Sequence, residues 1–179
     1  MKRTSKTFFS VAVFATLFFT ACEPKEPKGG GDDNNGTVPD EVVINGITWA
    51  TRNVGGTGAF MTNPEDYGNY FDWQEAKNAC PSGWRLPTKA EFETLITAGS
   101  IWTTQNGKAG RKFGSGNNTI FMPAAGVRDG SLSGVGGYGY YWSSTSLNSE
   151  NAYCWEFSVE YALSDYGYKG LSMSVRCVK

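Results

Sequence analysis

The sequence predicts an α+β domain behind an export leader, on three observations. Two helix starts carry the same capping pattern, Asp72-Trp73-Gln74-Glu75 and Thr88-Lys89-Ala90-Glu91. After them the chain changes to short apolar runs divided by Gly, Asn, Asp and Ser, the mark of strands on a returning chain. The leading stretch differs from everything behind it in charge and hydropathy.

Lys2, Arg3 and Lys6 form a basic start, and the 14 residues from Phe8 to Ala21 are uncharged and mostly apolar. As a helix they span roughly 21 Å, short of a bilayer's hydrocarbon core of about 30 Å. The layout is that of a secretory signal over residues 1–21, cut after Thr20-Ala21. The stretch before Cys22 resembles a bacterial lipobox, with Phe19 where Leu is usual, so Cys22 is expected to carry lipid. Residues 22–40 are Pro, Gly, Asn and charge, too polar to offset the entropy of ordering, and read as a lipidated tether. The polar residues after Cys22 loosely resemble surface-export signals of Bacteroidetes lipoproteins. The expected location is thus outside the cell, anchored to the outer membrane through the lipid alone.

Removing residues 1–21 leaves 13 basic against 17 acidic residues, a charge of −4. Nothing in it suggests the basic face a nucleic-acid binder needs, and no nucleic-acid partner is expected. Residues 41–179 are then one domain, large enough to bury about two thirds of its unfolded surface.

Within it, Val42–Ala50 reads as two short strands around Asn45-Gly46, the strongest short hairpin signal. The Gly-rich stretch from Val54 to Pro64 has no regular signal. Asp72 opens a first helix to about Ala79, stopped before Pro81. Thr88 opens a second, with Phe92, Leu95 and Ile96 as its buried stripe and Gly99 as its stop. Candidate strands are Thr119–Met122, Tyr140–Ser143, Ala152–Ser158 and Leu171–Val178. Lys108, Arg111 and Lys112 read as a solvated turn, since Gly107-Lys108-Ala109-Gly110 lacks phosphate-loop spacing.

Three cysteines stay in the domain, Cys80, Cys154 and Cys177, and an oxidising location predicts one disulfide among three possible pairings. Cys80 after the first helix and Cys177 in the last strand are the favoured pair; closing a loop of that length contributes roughly 4–5 kcal/mol in the chain-entropy model. Cys154 reads as a small buried apolar residue.

Several motifs stand in order: Ile47-Thr48-Trp49-Ala50-Thr51-Arg52-Asn53-Val54-Gly55, Cys80-Pro81-Ser82-Gly83-Trp84-Arg85-Leu86-Pro87-Thr88 followed by Glu91-Phe92, Phe121-Met122-Pro123-Ala124-Ala125-Gly126, Tyr141-Trp142-Ser143-Ser144-Thr145, and Ser174-Val175-Arg176-Cys177-Val178. Together they resemble the Fibrobacter succinogenes major paralogous domain, a family of exported bacterial modules. The resemblance covers residues 41–179 and implies a C-type lectin-like fold, related to that of sulfatase-modifying factors. Such a fold has two helices beside a small twisted antiparallel sheet with Gly-rich loops, its termini close together. It also implies a disulfide from the first helix to the last strand, in agreement with Cys80–Cys177.

Chemistry follows by elimination. The sulfatase-modifying relatives use a cysteine pair and others bind iron through histidines. This chain has no His, and a Cys80–Cys177 bridge leaves one thiol in the domain. Glu150, Glu156 and Glu160 read as ordinary solvated carboxylates. Met122-Pro123-Ala124 offers no side-chain oxygen where calcium lectins place their ligands. No enzyme activity, cofactor or metal is therefore expected. What remains is calcium-independent binding through aromatics and amides, with Tyr138, Tyr140, Asn148, Asn151, Tyr153, Tyr161, Tyr166 and Tyr168 as candidate ligand-binding residues. Tyr141, Trp142 and Trp155 are expected in the core. The expected ligand is a glycan or a surface or host protein; the alternatives are a structural or adhesin subunit of a cell-surface assembly and, from the resemblance, a degenerate enzyme of the sulfatase-modifying type.

Overall fold

The computed structural model describes residues 40–179. The leader 1–21, the lipidation site Cys22 and the tether up to residue 39 lie outside the described residues. Asp40, read as the end of the tether, is docked: its carboxylate accepts from Arg52 at 2.5 Å and its carbonyl from the Thr51 N–H at 3.1 Å.

β1 (Glu41–Ile44) and β2 (Ile47–Ala50) form the expected hairpin. Asn45 and Gly46 both take positive φ, 49° and 80°, matching the right-handed twist of the flanking strands. β3 (Val54–Gly56) and β4 (Ala59–Phe60) make a second small pair. Helix α1 covers only Trp73–Ala76, opened by the Asp72–Glu75 capping box; α2 covers Lys89–Thr97, opened by Thr88–Glu91. β5 (Ser100–Gln105), β6 (Lys108–Ser115) and β7 (Asn118–Pro123) form an antiparallel meander. β8 (Val127–Asp129) and β9 (Ser131–Ser133) are a short hairpin. β10 (Gly139–Ser146), β11 (Asn151–Phe157) and β12 (Ala162–Tyr168) form the third sheet of the C-terminal half.

This overturns the α+β, C-type lectin-like expectation. The domain is β-rich: twelve strands in five small antiparallel sheets, against helices of 4 and 9 residues. The first predicted helix ends after one turn. The stretch of Lys108, Arg111 and Lys112, read as a solvated turn, belongs to β6, which pairs with β5 around Asn106-Gly107, a second turn with positive φ at both positions. Lys108, Arg111 and Lys112 are accordingly strand residues. Arg111 donates to the Ser158 and Val159 carbonyls and to Ser100 Oγ, at 2.9, 3.1 and 2.8 Å.

β10 and β11 are covered on both faces, their neighbouring residues pointing to opposite sides. Tyr141, Trp155 and Phe157 enter one core with Trp49, Phe92, Leu95 and Phe113. Trp142, Ala152 and Cys154 enter the other with Trp73, Leu86, Met173 and Val175. The first core holds a chain of aromatic contacts, Trp49–Phe92–Trp155–Phe113–Phe157–Tyr141, with centroids 5.2 to 5.8 Å apart.

Residues 171–179, predicted as a strand, do not pair continuously with any one neighbour. They thread between several: Ser172 pairs with Arg128, Met173 with Phe71, Ser174 with Tyr141, and Val178 with both Trp49 and Arg85. Met173 through Val178 are buried. The segment is therefore satisfied piecewise, which is why its apolar alternation is legible without a ladder.

Candidate functional site

Cys80 and Cys177 are joined by a disulfide, closing a loop of 97 positions. Cys154 is a free, buried thiol among Trp142 and Ala152, and burial pushes its pKa well up, so it is held protonated.

The motifs that carry the family resemblance meet around one buried arginine. Arg176 donates to Asn53 Oδ1 at 2.9 Å, to the Ala50 carbonyl at 3.0 Å and to the Phe121 carbonyl at 3.1 Å. Asn53 Nδ2 donates to Tyr141 Oη at 3.1 Å, and Tyr141 donates to the Pro123 carbonyl at 2.8 Å. Burial lowers the pKa of Arg176 to about 10 and raises that of Tyr141 to about 12. Elsewhere Trp142 Nε1 donates to the Phe71 carbonyl, and Arg85 pairs through its backbone with Val178 and through its side chain with Glu91. Those signature residues are thus occupied in holding the fold.

The eight candidate binding residues fall into separate groups. In the first, Tyr140 lies opposite Glu156 and Glu156 opposite Leu163 on one face of the sheet. Glu156 Oε1 accepts from Tyr140 Oη at 3.2 Å and from Tyr161 Oη at 2.5 Å. Tyr138 stacks on Tyr140 with centroids 6.2 Å apart and is 42% exposed. The Glu156 hydrogen bond raises the Tyr161 pKa to about 12; burial, then the Glu156 charge, raises that of Tyr140 further.

The second group points the other way. Tyr153 lies opposite Tyr166, and Asn151 opposite Tyr168. Lys89 of α2 sits 5.1 Å over the Tyr153 ring. Tyr166 and Tyr168 are the most solvent-facing of the candidate tyrosines, at 58% and 60%. Asn148 serves its own turn: its Oδ1 accepts from the Glu150 and Asn151 N–H groups at 2.9 and 2.7 Å. Of the carboxylates read as solvated, Glu150 and Glu160 are exposed, whereas Glu156 anchors two phenols.

A third feature escaped the sequence reading. An open cleft of about 640 Å³ lies beside Tyr70, walled by Thr57, Asn69, Glu75, Asn78 and Arg128. Its residues are too scattered along the chain to form a motif, and Arg128 was the one charge among them that a polar hairpin tip could have signalled.

Geometry thus defines a class before a family: a small, disulfide-closed, β-rich module with aromatic and polar surface groups outside its core. The chain belongs to the Fibrobacter succinogenes major domain family, whose model matches residues 60–179. The matched segment begins after the Ile47–Gly55 motif, so it is shorter than the resemblance over residues 41–179. Comparisons with curated proteins and with solved structures return no significant match. Among the described residues no helix is long and apolar enough to cross a membrane.

Proposed function

We propose that the chain is an exported lipoprotein, anchored through Cys22 at the outer membrane, whose module binds a carbohydrate outside the cell without calcium and without transforming it. The observation that carries this reading is the cluster built on Glu156. One carboxylate oxygen fixes the phenols of Tyr140 and Tyr161, and Tyr138 offers an exposed ring stacked on Tyr140. A fixed ring beside oriented hydroxyls and a carboxylate suits a sugar, whose apolar face stacks while its hydroxyls exchange hydrogen bonds. A non-catalytic role is supported by the absence of His from the sequence and by the buried, protonated Cys154 thiol.

A glycan array probed with the full chain, with and without chelator, tests this. The expected result is chelator-insensitive binding to neutral glycans that Tyr138→Ala abolishes. Chelator-sensitive binding, or none to any glycan, overturns it.

A second reading, a subunit of a cell-surface assembly, is favoured by Tyr166 and Tyr168, which stand exposed on β12 at the edge of its sheet. A pull-down of surface proteins that Tyr166→Ala and Tyr168→Ala weaken, with Tyr138→Ala without effect, would select it.

A further inference from the structure

The cleft beside Tyr70 is separate in chemistry from the Glu156 cluster. Arg128 sits on β8, and its backbone is held from both sides by Ser172, at 2.9 and 3.0 Å. Its guanidinium lies 5.5 Å over the Tyr70 ring, which is itself fixed by a hydrogen bond from Tyr70 Oη to the Ala125 carbonyl at 2.5 Å. Stacking on a pinned ring orients the planar fork of donors.

Those donors are unused. Among the described residues the Arg128 guanidinium donates no hydrogen bond and forms no ion pair, whereas the guanidinium groups of Arg52, Arg85, Arg111 and Arg176 all donate to protein oxygens. Two more groups on the cleft are in the same condition. Asn69 and Asn78 are fixed through their backbones, to the Val54 carbonyl at 2.9 Å and the Glu75 carbonyl at 3.0 Å, while their side-chain amides make no hydrogen bond among the described residues. The wall between them is set by Gly68, at φ 75°, where a Cβ would overlap the Val54 carbonyl oxygen.

The fourth polar group is an anion. Glu75 lines the cleft, one of its oxygens accepting from the Asp72 N–H at 3.1 Å. One cation, one carboxylate and two amides give a site of no net charge, a poor host for a multiply charged anion such as phosphate. They suit a ligand with a single carboxylate and many hydroxyls: the guanidinium takes the carboxylate as a two-point partner, and the amides and Glu75 exchange hydrogen bonds with the hydroxyls. We propose that this cleft binds the uronic acid residue of an acidic saccharide, with Arg128 holding the carboxylate and Asn69, Asn78 and Glu75 holding hydroxyls. The inference stands apart from the neutral-glycan reading of the Glu156 cluster, and either can fail alone.

Calorimetry on the full chain with tetragalacturonate, its uncharged methyl ester and acetyl-triglycine tests it. Tetragalacturonate is expected to bind, with the ester about tenfold or more weaker, as the loss of a charged hydrogen-bond pair implies. Arg128→Gln should reduce tetragalacturonate to the level of the ester and lower the melting temperature only slightly, since the guanidinium donates to no protein group and only its stacking on Tyr70 is lost. Tyr138→Ala should leave tetragalacturonate's advantage over the ester intact. Equal binding of acid and ester, unaltered binding by Arg128→Gln, or acetyl-triglycine binding as tightly as tetragalacturonate would overturn the proposal. So would binding of none of the three.

Discussion

Arg176 Nε donates to Asn53 Oδ1 at 2.9 Å in the interior, and the other acceptors of the same guanidinium are main-chain carbonyls. A full positive charge is therefore buried against neutral dipoles and no carboxylate. Arg176→Met leaves Asn53 Oδ1 and the Ala50 and Phe121 carbonyls without their donor. The expected loss is about 3–5 kcal/mol, read as a lower urea midpoint. A loss under about 1 kcal/mol would show that water can replace the guanidinium.

The Cys80–Cys177 disulfide and the Cys154 thiol should behave oppositely. Cys80→Ser is expected to cost about 2–5 kcal/mol by releasing a loop of 97 positions in the unfolded chain. Cys154→Ala removes one buried sulfur and should cost about 1–2 kcal/mol. In the native protein Cys154 should resist thiol reagents and react only after unfolding, which a timed labelling experiment with and without urea reads directly.

Glu91 gives the acid limb of stability. Arg85 grips both of its carboxylate oxygens, at 2.8 and 2.5 Å, and with the Thr88 N–H lowers its pKa from 4.5 to about 2. A folded-state pKa below the unfolded value stabilises the fold above about pH 4.5, and that stability is lost as pH falls toward 2. Arg85 is half exposed, so solvent screens the pair and the loss is about 1 kcal/mol. Glu91→Gln should flatten this part of a stability-versus-pH curve; an unchanged slope would place it on other carboxylates.

Phenolate titration separates the two tyrosines on Glu156. The carboxylate hydrogen bond is the main cause that lifts Tyr161 to about 12, whereas burial is the main cause for Tyr140. In Glu156→Gln, ultraviolet titration should find Tyr161 ionising closer to 10 while Tyr140 stays raised. Identical titration curves for variant and parent would remove Glu156 from the cluster.

Gly126 sets the junction between the two candidate sites. At φ 71° it donates its N–H to the Tyr138 carbonyl at 2.8 Å, and a Cβ there would overlap the Ser133 carbonyl oxygen. Gly126→Ala is expected to cost more than about 2 kcal/mol, from the left-handed backbone and the overlap together. Thermal unfolding checks it.

Local rules made part of this fold legible. Asp72 with Glu75 and Thr88 with Glu91 are contacts three residues apart, so both helix starts could be read from the chain. Asn45-Gly46 was equally plain. Asn106-Gly107 carries the same signal, but β6 beside it reads Lys-Ala-Gly-Arg-Lys-Phe-Gly-Ser, with little β-propensity, because Gly110 must lie close under the Met122 and Pro123 backbone. The lectin-like expectation failed at this stretch, where pairing across the sheet outweighed local preference. The candidate tyrosines could be named from composition. Their partition into two faces follows from the β10–β11 register, which no single-sequence signal fixes. Residues of the Arg128 cleft meet only in the folded chain.

Residues 171–179 bond to partners that precede them by up to some 130 positions, among them Thr48, Ala50, Val54, Phe71 and Arg85. A ribosome that has delivered only the first 160 residues has therefore made a chain whose early hairpin, first helix and disulfide partner all still await their counterparts. Closure of the Cys80–Cys177 bond is postponed until the stretch around Cys177 has been made.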